Sequence, residues 1–284
     1  MVCAKLVLRS LVVASITLLL TSRTMSAGPF APAAGQPGST AIAYNDPGIV
    51  GWATTVRDLA RGPIDISNPA AGLASFGTAD SALGPAGTNT GAVVSLGDGG
   101  EITLGFAQPI TNGPGPDLAV FENSFADTFL ELAFVEVTSD GVNFFRFPSV
   151  SLTPAATQVA SFGALDPTNL NGLAGKYRVG FGTPFDLDEL AGASPLLDLS
   201  AIQAVRIVDA VGSINPLYAT HDSLGNIVND PWPTAFASGG FDLDGVAVIQ
   251  TPEPAAWLLC LSGLAATLIA GRRRLCARGL RREA

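Results

Sequence analysis

Acidic and amide side chains stand beside the apolar runs of this sequence, at points where strands would begin or end. Asp117 precedes one such run, Glu122 and Asn123 follow it, and Asp242 and Asp244 precede a later run. Oxygen ligands of these types are those that Ca²⁺ prefers, about six to eight per ion. Alternate residues of an extended chain share a face, so Asp242 and Asp244 point the same way. We therefore predict a calcium site at these five residues; the alternative is that they cap turns in solvent.

A second polar segment, residues 222–230, combines acids and amides around Gly225. It lacks the alternating ligands and the terminal glutamate of an EF-hand loop, which favours an ordinary polar loop. The alternative interpretation is a ligand-binding surface to which Asp222, Asn226 and the nearby Trp232 contribute. Aromatic side chains such as Trp232 stack on flat ligands, although in most proteins they pack in the core.

Catalytic residues are sparse in this sequence. His221 is the only histidine, and no Gly-x-Ser-x-Gly motif surrounds any serine. Glu122, Glu131 and Glu136 could supply the two carboxylates of a glycosidase, which need a separation of roughly 5–10 Å across a cleft. The sequence does not place these side chains relative to one another. We predict a non-enzymatic protein, with a secreted glycan-active hydrolase as the alternative.

Cysteine and charge exclude several classes of function for residues 28–250. Cys3, Cys260 and Cys276 all lie outside this segment, so it can hold no disulfide framework, zinc cluster or cysteine nucleophile. The two terminal segments contain nine of the 15 basic residues but only two of the 24 acidic ones. Residues 28–250 therefore carry a formal charge of about −16, which repels nucleic acid and favours cationic ligands.

The segment between the termini has the pattern of an all-β protein. Short runs rich in β-branched and aromatic residues alternate with clusters of Gly, Pro, Asn and Asp, and helical periodicity is missing apart from a possible turn near residues 187–191. Asp140-Gly141 lies between two such runs and predicts a hairpin, because glycine readily adopts the positive φ of a tight turn. This spacing predicts one jelly-roll-like β-sandwich over residues 40–250. The predicted strands are residues 92–96, 102–106, 118–121, 132–138, 143–147, 204–208 and 246–249.

The N-terminus has the pattern of a secretory signal. Lys5 and Arg9 precede the apolar residues 11–20, a stretch shorter than the roughly 20 residues of a membrane span. We predict a signal peptide at residues 1–27, followed by a flexible leader at residues 28–39 that is rich in Gly, Ala and Pro. A retained N-terminal anchor is the alternative.

The C-terminus combines three features in a fixed order over residues 251–284. Pro252, Glu253 and Pro254 come first, and the uncharged residues 255–271 follow them. As a helix, those 17 residues would extend about 25 Å, enough for a thin bilayer. The tail at residues 272–284 is rich in arginine and would stay on the cytoplasmic side. We predict a transmembrane helix; a buried core helix with a basic tip is the alternative.

This arrangement resembles the PEP-CTERM sorting signal of Gram-negative bacteria, whose tail also carries the label of an ice-binding protein C-terminal domain. The resemblance rests on Pro252-Glu253-Pro254, the apolar helix and the arginine cluster, which begins with Arg272, Arg273 and Arg274. It implies recognition by an exosortase-type membrane transpeptidase. The expected location is the inner membrane during sorting, through the C-terminal helix, and then the cell surface or an extracellular matrix.

Residues 40–250 also resemble a group of bacterial cell-surface proteins. The resemblance is carried by residues 99–106 (GGEITLGF), 115–123 (GPDLAVFEN), 135–141 (VEVTSDG) and 240–246 (GFDLDGV). It implies a galactose-binding-like or discoidin-like sandwich, without a general activity that could be transferred. We therefore expect an exported protein of the surface or exopolysaccharide matrix that binds polysaccharide or neighbouring proteins, with Ca²⁺ as a stabilising ion.

Overall fold

A computed structural model describes residues 27–249, and this part of the chain is all-β. It contains curled antiparallel sheets and short 3-10 helices. One sheet has six strands in the order β1-β11-β6-β13-β2, and β4 pairs with β13 beside this path. Its strands are β1 (Ile42–Ala43), β2 (Ile49–Trp52), β4 (Val94–Ser95), β6 (Leu118–Glu122), β11 (Phe181–Phe185) and β13 (Asp242–Ile249).

The second sheet has five strands in the order β3-β5-β12-β7-β8. Its strands are β3 (Thr55–Ala60), β5 (Glu101–Ile110), β7 (Ala133–Thr138), β8 (Phe145–Arg146) and β12 (Ile202–Asp209). A small additional sheet pairs β9 (Val150–Ser151) with β10 (Leu170–Asn171). The 3-10 helices are Pro69–Ala71, Ala79–Ala82, Pro167–Asn169 and Leu187–Leu190. All pairings between these strands are antiparallel.

The main hydrophobic core takes side chains from both large sheets, as in a β-sandwich. Val120 and Leu243 come from the six-stranded sheet, and Ile102, Val135 and Ile207 come from the five-stranded sheet. All five belong to one buried cluster, so the inner faces of the two sheets pack against each other. Removing such surfaces from water is the dominant stabilising contribution to a fold that has no disulfide in residues 27–249.

Both outer faces are also partly covered. On the six-stranded sheet, Ala119, Phe121 and Ala247 form a second buried cluster with Trp52 packed against it. On the other side, Leu132 and Phe134 cluster with apolar side chains of the long connecting segments. This coverage explains why β6 and β7 are buried along their whole length and read as nearly continuous apolar runs.

Residues 28–39, expected from the sequence to be a leader, contact the body of the protein. The backbone N–H of Gly28 donates to Thr168 Oγ1 at 2.6 Å, and that of Phe30 donates to the Thr168 carbonyl at 3.1 Å. Arg178 Nη1 donates to the carbonyl of Ala34, which is itself buried. These contacts hold the segment against residues far away in the sequence.

Every run predicted to be a strand coincides with an observed strand, although the ends differ. The Asp140-Gly141 hairpin is confirmed: it joins β7 to β8, and Gly141 has a φ of +78°. The turn near residue 187 is confirmed as the helix Leu187–Leu190. One placement is corrected, because Asp242 and Asp244 lie inside β13 rather than before it. Strands β1, β2, β3, β9, β10 and β11 lack a sequence prediction.

The predicted signal peptide, residues 1–27, lies almost wholly outside the described residues. Pro252-Glu253-Pro254, the predicted transmembrane helix at residues 255–271 and the arginine tail also lie outside them. Within residues 27–249, no helix is long and apolar enough to cross a membrane.

Candidate functional site

Strand ends from both large sheets meet at one end of the sandwich and bring acidic side chains together there. In the six-stranded sheet, Leu243 of β13 is registered with Glu122, the last residue of β6. In the five-stranded sheet, Asp209 ends β12 and is registered with Ala133, two residues after Glu131. The carboxylates of Glu122 and Asp209 both raise the pKa of Glu131 by their charge, so the two groups share one electrostatic environment.

Glu122 is the most deeply buried acid of this end. Its Oε2 accepts a hydrogen bond from the backbone N–H of Ser124 at 2.8 Å, whereas its Oε1 has no hydrogen-bond partner. Burial raises the pKa of Glu122 well above 4.5, and the nearby charge of Asp242 adds to this rise. A buried carboxylate oxygen without a donor is unfavourable, and it indicates a place where a proton or a ligand completes the arrangement.

Asp242 and Asp244 flank Glu122 from the neighbouring strand. Asp242 accepts hydrogen bonds from Ser95 Oγ and, at 3.3 Å, from Asn123 Nδ2. Asp244 accepts from the backbone N–H of Gly87 at 3.0 Å. Burial raises the pKa of each of these two aspartates to about 6. The side chain between them, Leu243, belongs to the core, so the two carboxylates lie on the opposite face of β13.

Asp117 does not join this group. It precedes β6, whereas Glu122 ends it, and five strand residues extend about 17 Å. The Asp117 carboxylate accepts from the backbone N–H groups of Gly113 at 2.7 Å and Leu187 at 2.8 Å. Burial raises its pKa to about 6. The structure thus brings together four of the five predicted calcium ligands and places Asp117 at the far end of the strand.

A deeper group of four carboxylates surrounds a cavity of about 10 Å³. Asp98 accepts from Ile66 N at 2.8 Å and from Trp232 Nε1 at 3.1 Å. Burial raises its pKa above 3.8. Asp98 shares the cavity with Asp209, Asp230 and Glu131.

Asp209 and Asp230 are held by backbone donors from several segments. Asp209 accepts from Gly99 N at 2.8 Å and Phe241 N at 2.7 Å, and Asp230 accepts from Leu132 N at 2.9 Å. Burial raises the pKa of Asp209 to about 8 and that of Asp230 well above 3.8. These bonds fix both carboxylates in place, but they do not neutralise the charge.

Glu131 connects the deep cavity to an open cleft, because it lines both. Its side chain is 7% exposed, and among the described residues its carboxylate accepts no hydrogen bond. Burial raises the pKa of Glu131 well above 4.5, and the charges of Glu122 and Asp242 raise it further. Glu131 is therefore a buried acid that faces open space without a protein partner.

The cleft above Glu131 has a volume of about 250 Å³ and aromatic walls. Phe125 stacks on Phe129 with ring centroids 4.6 Å apart, Phe162 follows at 5.8 Å from Phe129, and Phe236 lies 5.9 Å from Phe162. Phe125 and Phe162 are 65% and 69% exposed. Apolar rings exposed in a row are unusual on a soluble surface and are typical of a binding site. The polar lining consists of Thr90, Asn123, Glu131, Ser161, Thr234, Ser238 and Asp242.

No side chain in the described part of the chain forms an ion pair with these acids. Its ion pairs involve Glu101, Asp127 and Glu136 instead. Arg61 is the cation whose charge acts on Asp242, but its guanidinium donates to the backbone carbonyls of Phe76, Ser95 and Gly77. The acids at this end of the sandwich therefore have no side-chain ion-pair partner among residues 27–249.

The residues of the second predicted site have separate hydrogen-bond partners. Asp222 accepts from Ser151 N and from both the backbone and the side chain of Asn226, so its carboxylate organises a turn. Trp232 instead donates to Asp98 and lines the deep cavity. The polar-loop interpretation therefore describes Asp222 and Asn226, while Trp232 belongs to the acidic end.

Among the three glutamates considered for catalysis, Glu136 has a different environment. It accepts from Arg146 Nε at 2.8 Å and from Arg206 Nε at 2.7 Å on the face of the five-stranded sheet. Glu122 and Glu131 remain together at the acidic end. The acids that line the cleft are Glu131 and Asp242, so a carboxylate pair there would use these two.

The calcium site stays a prediction. As the side chains stand in residues 27–249, no three acidic, histidine or cysteine side chains form a group that could hold a metal ion. The four residues at the acidic end have the oxygen chemistry that Ca²⁺ prefers, but several of these oxygens already accept hydrogen bonds.

The sequence gives uneven signals for the remaining acids. Glu131 and Asp209 stand directly beside the β-prone runs 132–138 and 204–208, which would have indicated positions at strand ends. Asp98 and Asp230 lie in loops rich in Gly or Pro and carry no such signal. The phenylalanines of the cleft come from segments far apart in sequence, so their stacking could not be predicted. No protein-family model matches this chain, and no curated protein matches it either.

Proposed function

We propose that this protein is an exported, non-enzymatic protein of the cell surface or extracellular matrix that binds polysaccharide in the phenylalanine-lined cleft. The observation that carries the proposal is the row of rings that line the cleft together with Glu131 and Asp242. Phe125, Phe162 and Phe236 are exposed, and Phe129 is half-buried between Phe125 and Phe162. Rings of this kind pack against the apolar faces of sugars. Carboxylates and hydroxyls beneath them accept and donate hydrogen bonds to sugar hydroxyls.

The fold we propose for this function is a jelly-roll-like sandwich of the galactose-binding or discoidin-like type. The support is an antiparallel two-sheet core with a ligand cleft at the strand ends rather than on a sheet face. Loops at the end of a rigid sandwich can vary in sequence without disturbing the core, which makes this end a suitable place for recognition.

Sorting by an exosortase-type transpeptidase is the second part of the proposal. It rests on the signal-peptide pattern of residues 1–27 and on Pro252-Glu253-Pro254 with its apolar run and arginine tail. The cysteine-free composition of residues 28–250 suits a protein that needs no redox control outside the cell. The acidic surface makes nucleic acid an unsuitable partner.

Calcium stabilisation is the third part. Ca²⁺ at Glu122, Asn123, Asp242 and Asp244 would neutralise acids that have no cationic side-chain partner and would join the ends of β6 and β13. A rise in Tm in millimolar Ca²⁺ relative to a chelator would support this. An unchanged Tm would refute it.

A glycan-binding measurement tests the main proposal. We expect residues 28–250 to bind one or more glycans on an array of bacterial and plant polysaccharides, and Phe162→Ala to weaken binding about tenfold. That loss corresponds to about 1.4 kcal/mol for one lost ring contact. Leu217→Ala is the matched control, because Leu217 is 80% exposed and does not line the cleft. Absence of any glycan signal, or equal losses in both variants, would contradict the proposal.

Hydrolysis of the bound glycan is the second candidate function. It is favoured by two acids with raised pKa, Glu131 and Asp242, that line the same cleft. A glycosidase needs one protonated and one ionised carboxyl group, and burial of the first raises its pKa as required. Release of reducing sugar ends by the native chain, abolished in Glu131→Gln, would establish this alternative.

A further inference from the structure

The floor of the phenylalanine cleft contains acidic side chains, and a neutral sugar has no positive charge to pair with them. Glu131 and Asp242 line it directly, and Glu122 lies close enough for its charge to act on Glu131. Behind Glu131, the deep cavity adds Asp98, Asp209 and Asp230. Within residues 27–249, none of these acids forms an ion pair with a side chain. Burial and mutual repulsion oppose the ionisation of these carboxyl groups, and a cationic ligand beside them favours the ionised form.

The environment of Glu131 independently indicates that a ligand binds in the phenylalanine cleft. It is 7% exposed, it lines the cleft, and no described residue donates a hydrogen bond to its carboxylate. By contrast, Glu136 is 6% exposed and is bound by two arginines. Buried Glu136 thus has two arginine partners. Glu131, five residues earlier in the sequence, faces the cleft without such a partner.

The walls of the cleft favour the same class of ligand. The faces of aromatic rings attract cations, and the attraction is stronger when the cation is desolvated. Phe125, Phe129 and Phe162 form consecutive stacked pairs at the mouth. No arginine or lysine lies over these three rings in the described part of the chain, whereas Phe134, Phe144 and Phe181 each lie beneath an arginine. The exposed rings of Phe125 and Phe162 are therefore not covered by a cationic side chain.

The volume of the cleft favours a cationic organic ligand over a single metal ion. About 250 Å³ is far more than a single ion requires, since one water molecule occupies about 30 Å³ in the liquid. A ring with an ammonium group and several hydroxyls fits both the aromatic walls and the polar lining of Asn123, Thr234 and Ser238. We infer that the cleft recognises a polysaccharide through an amino sugar, whose ammonium group lies against Glu131.

This inference rests on the proposed polysaccharide-binding function and narrows it to one class of sugar. Its chemical consequence is a preference for a free amine over an acetamide. N-acetylation removes the positive charge and adds bulk at the same position, so it replaces an ion pair with an uncompensated buried carboxylate. A neutral sugar would leave the carboxylates in the same unfavourable state as the free protein.

The test compares two trisaccharides that differ only in acetylation. Isothermal titration at pH 7 with β-1,4-linked tri-glucosamine and tri-N-acetylglucosamine should show at least tenfold tighter binding of the free amine. Glu131→Gln should reduce that affinity at least tenfold while changing the affinity for the acetylated sugar less than threefold. Asp58→Asn, at an exposed acid outside the cleft, controls for the general attraction of amines to an acidic protein.

Each outcome separates the inference from the proposed function. Equal binding of the two sugars would overturn the amino-sugar inference and leave polysaccharide binding intact. Binding of spermidine without either sugar would overturn both, because the site would then bind amines that are not part of a glycan. Equal losses in Glu131→Gln and Asp58→Asn would also overturn the inference, since the attraction would be non-specific. A thermal melt of each variant confirms that the fold is retained.

Discussion

Glu131 and Glu136 are both buried glutamates, and they show how much the environment decides at the scale of a single residue. Glu136 is bound by Arg146 and Arg206, which lie on neighbouring strands and satisfy both of its oxygens. Glu131 has acids nearby instead, and its pKa rises because burial and the charges of Glu122 and Asp242 oppose ionisation. The same side chain therefore stabilises the fold at one position and destabilises it at the other.

The substitutions Glu131→Gln and Glu136→Gln should act in opposite directions on stability at pH 8. Glu131→Gln removes a buried group whose ionisation is unfavourable, so it should raise the free energy of unfolding and the Tm. Glu136→Gln leaves two arginines without their carboxylate and should lower it by about 1–3 kcal/mol. Thermal melts of both variants and the native chain provide the measurement.

The pH dependence of the stability difference shows whether the ionisation of Glu131 causes it. The folded-state pKa of Glu131 is raised above 4.5, so the folded chain holds this proton more tightly than the unfolded chain. The contribution of Glu131 to stability is then most favourable below pH 4.5 and is lost as pH rises through the folded pKa. The advantage of Glu131→Gln should grow from pH 4.5 to pH 8. A Tm difference that is constant across this range would show that charge is not responsible.

At the scale of elements, the hairpin between β7 and β8 shows what a local motif can determine. Thr138, Asp140 and Gly141 close the turn through their own hydrogen bonds, with Asp140 Oδ1 accepting from Val142 N and Asn143 N at 2.8 Å each. The Asn143 side-chain amide, which donates to Asp140 Oδ2 at 2.6 Å, and the two backbone bonds hold the pKa of Asp140 well below its usual range. Every partner lies within a few residues in sequence, so the turn was predictable from the sequence alone.

Gly141→Ala should destabilise the protein by about 1–2 kcal/mol, because the φ of +78° is unfavourable for a residue with a Cβ atom. Space is not the limit, since the nearest atom to an added Cβ would be Arg57 Nη1 at 3.7 Å. Gly91→Ala is the matched control: it lies in an exposed loop, its φ is not positive, and an added Cβ would meet nothing closer than 3.5 Å. Chemical denaturation that shows equal effects at both positions would refute the conformational explanation.

The sequence predicted the strands whose burial leaves a recognisable apolar run, and it did not predict the strands without one. Strands β6 and β7 are fully buried and appear in the sequence as apolar runs. Strand β3 is mostly exposed, β1 has two residues, and β11 contains Gly182 and Pro184. Their backbones form strands because neighbouring strands offer hydrogen-bond partners, and that information lies in residues distant in sequence.

At the scale of the whole molecule, the two ends of the chain are expected to decide location, and the sandwich is expected to decide binding. Deletion of residues 252–284 should release the protein into the periplasm or medium, because the apolar run and the arginine tail would no longer be present for sorting. Fractionation of cells that express the full and shortened chains measures this. Equal retention in the envelope would contradict the proposed sorting signal. Replacing only Arg272, Arg273 and Arg274 by glutamine provides the control for charge.

The sequence by itself determined the all-β class, the buried strands, the Asp-Gly hairpin and the acidic, cysteine-free composition between the termini. These properties depend on composition and on residues that lie close together in the sequence, so the sequence alone is enough to predict them. Only the tertiary structure decided that Asp117 lies apart from Glu122, that Asp98, Asp209 and Asp230 surround one cavity with Glu131, and that distant phenylalanines form the cleft. The physical reason is that strand pairing and loop packing bring together residues about a hundred positions apart, and no local pattern records which ends will meet.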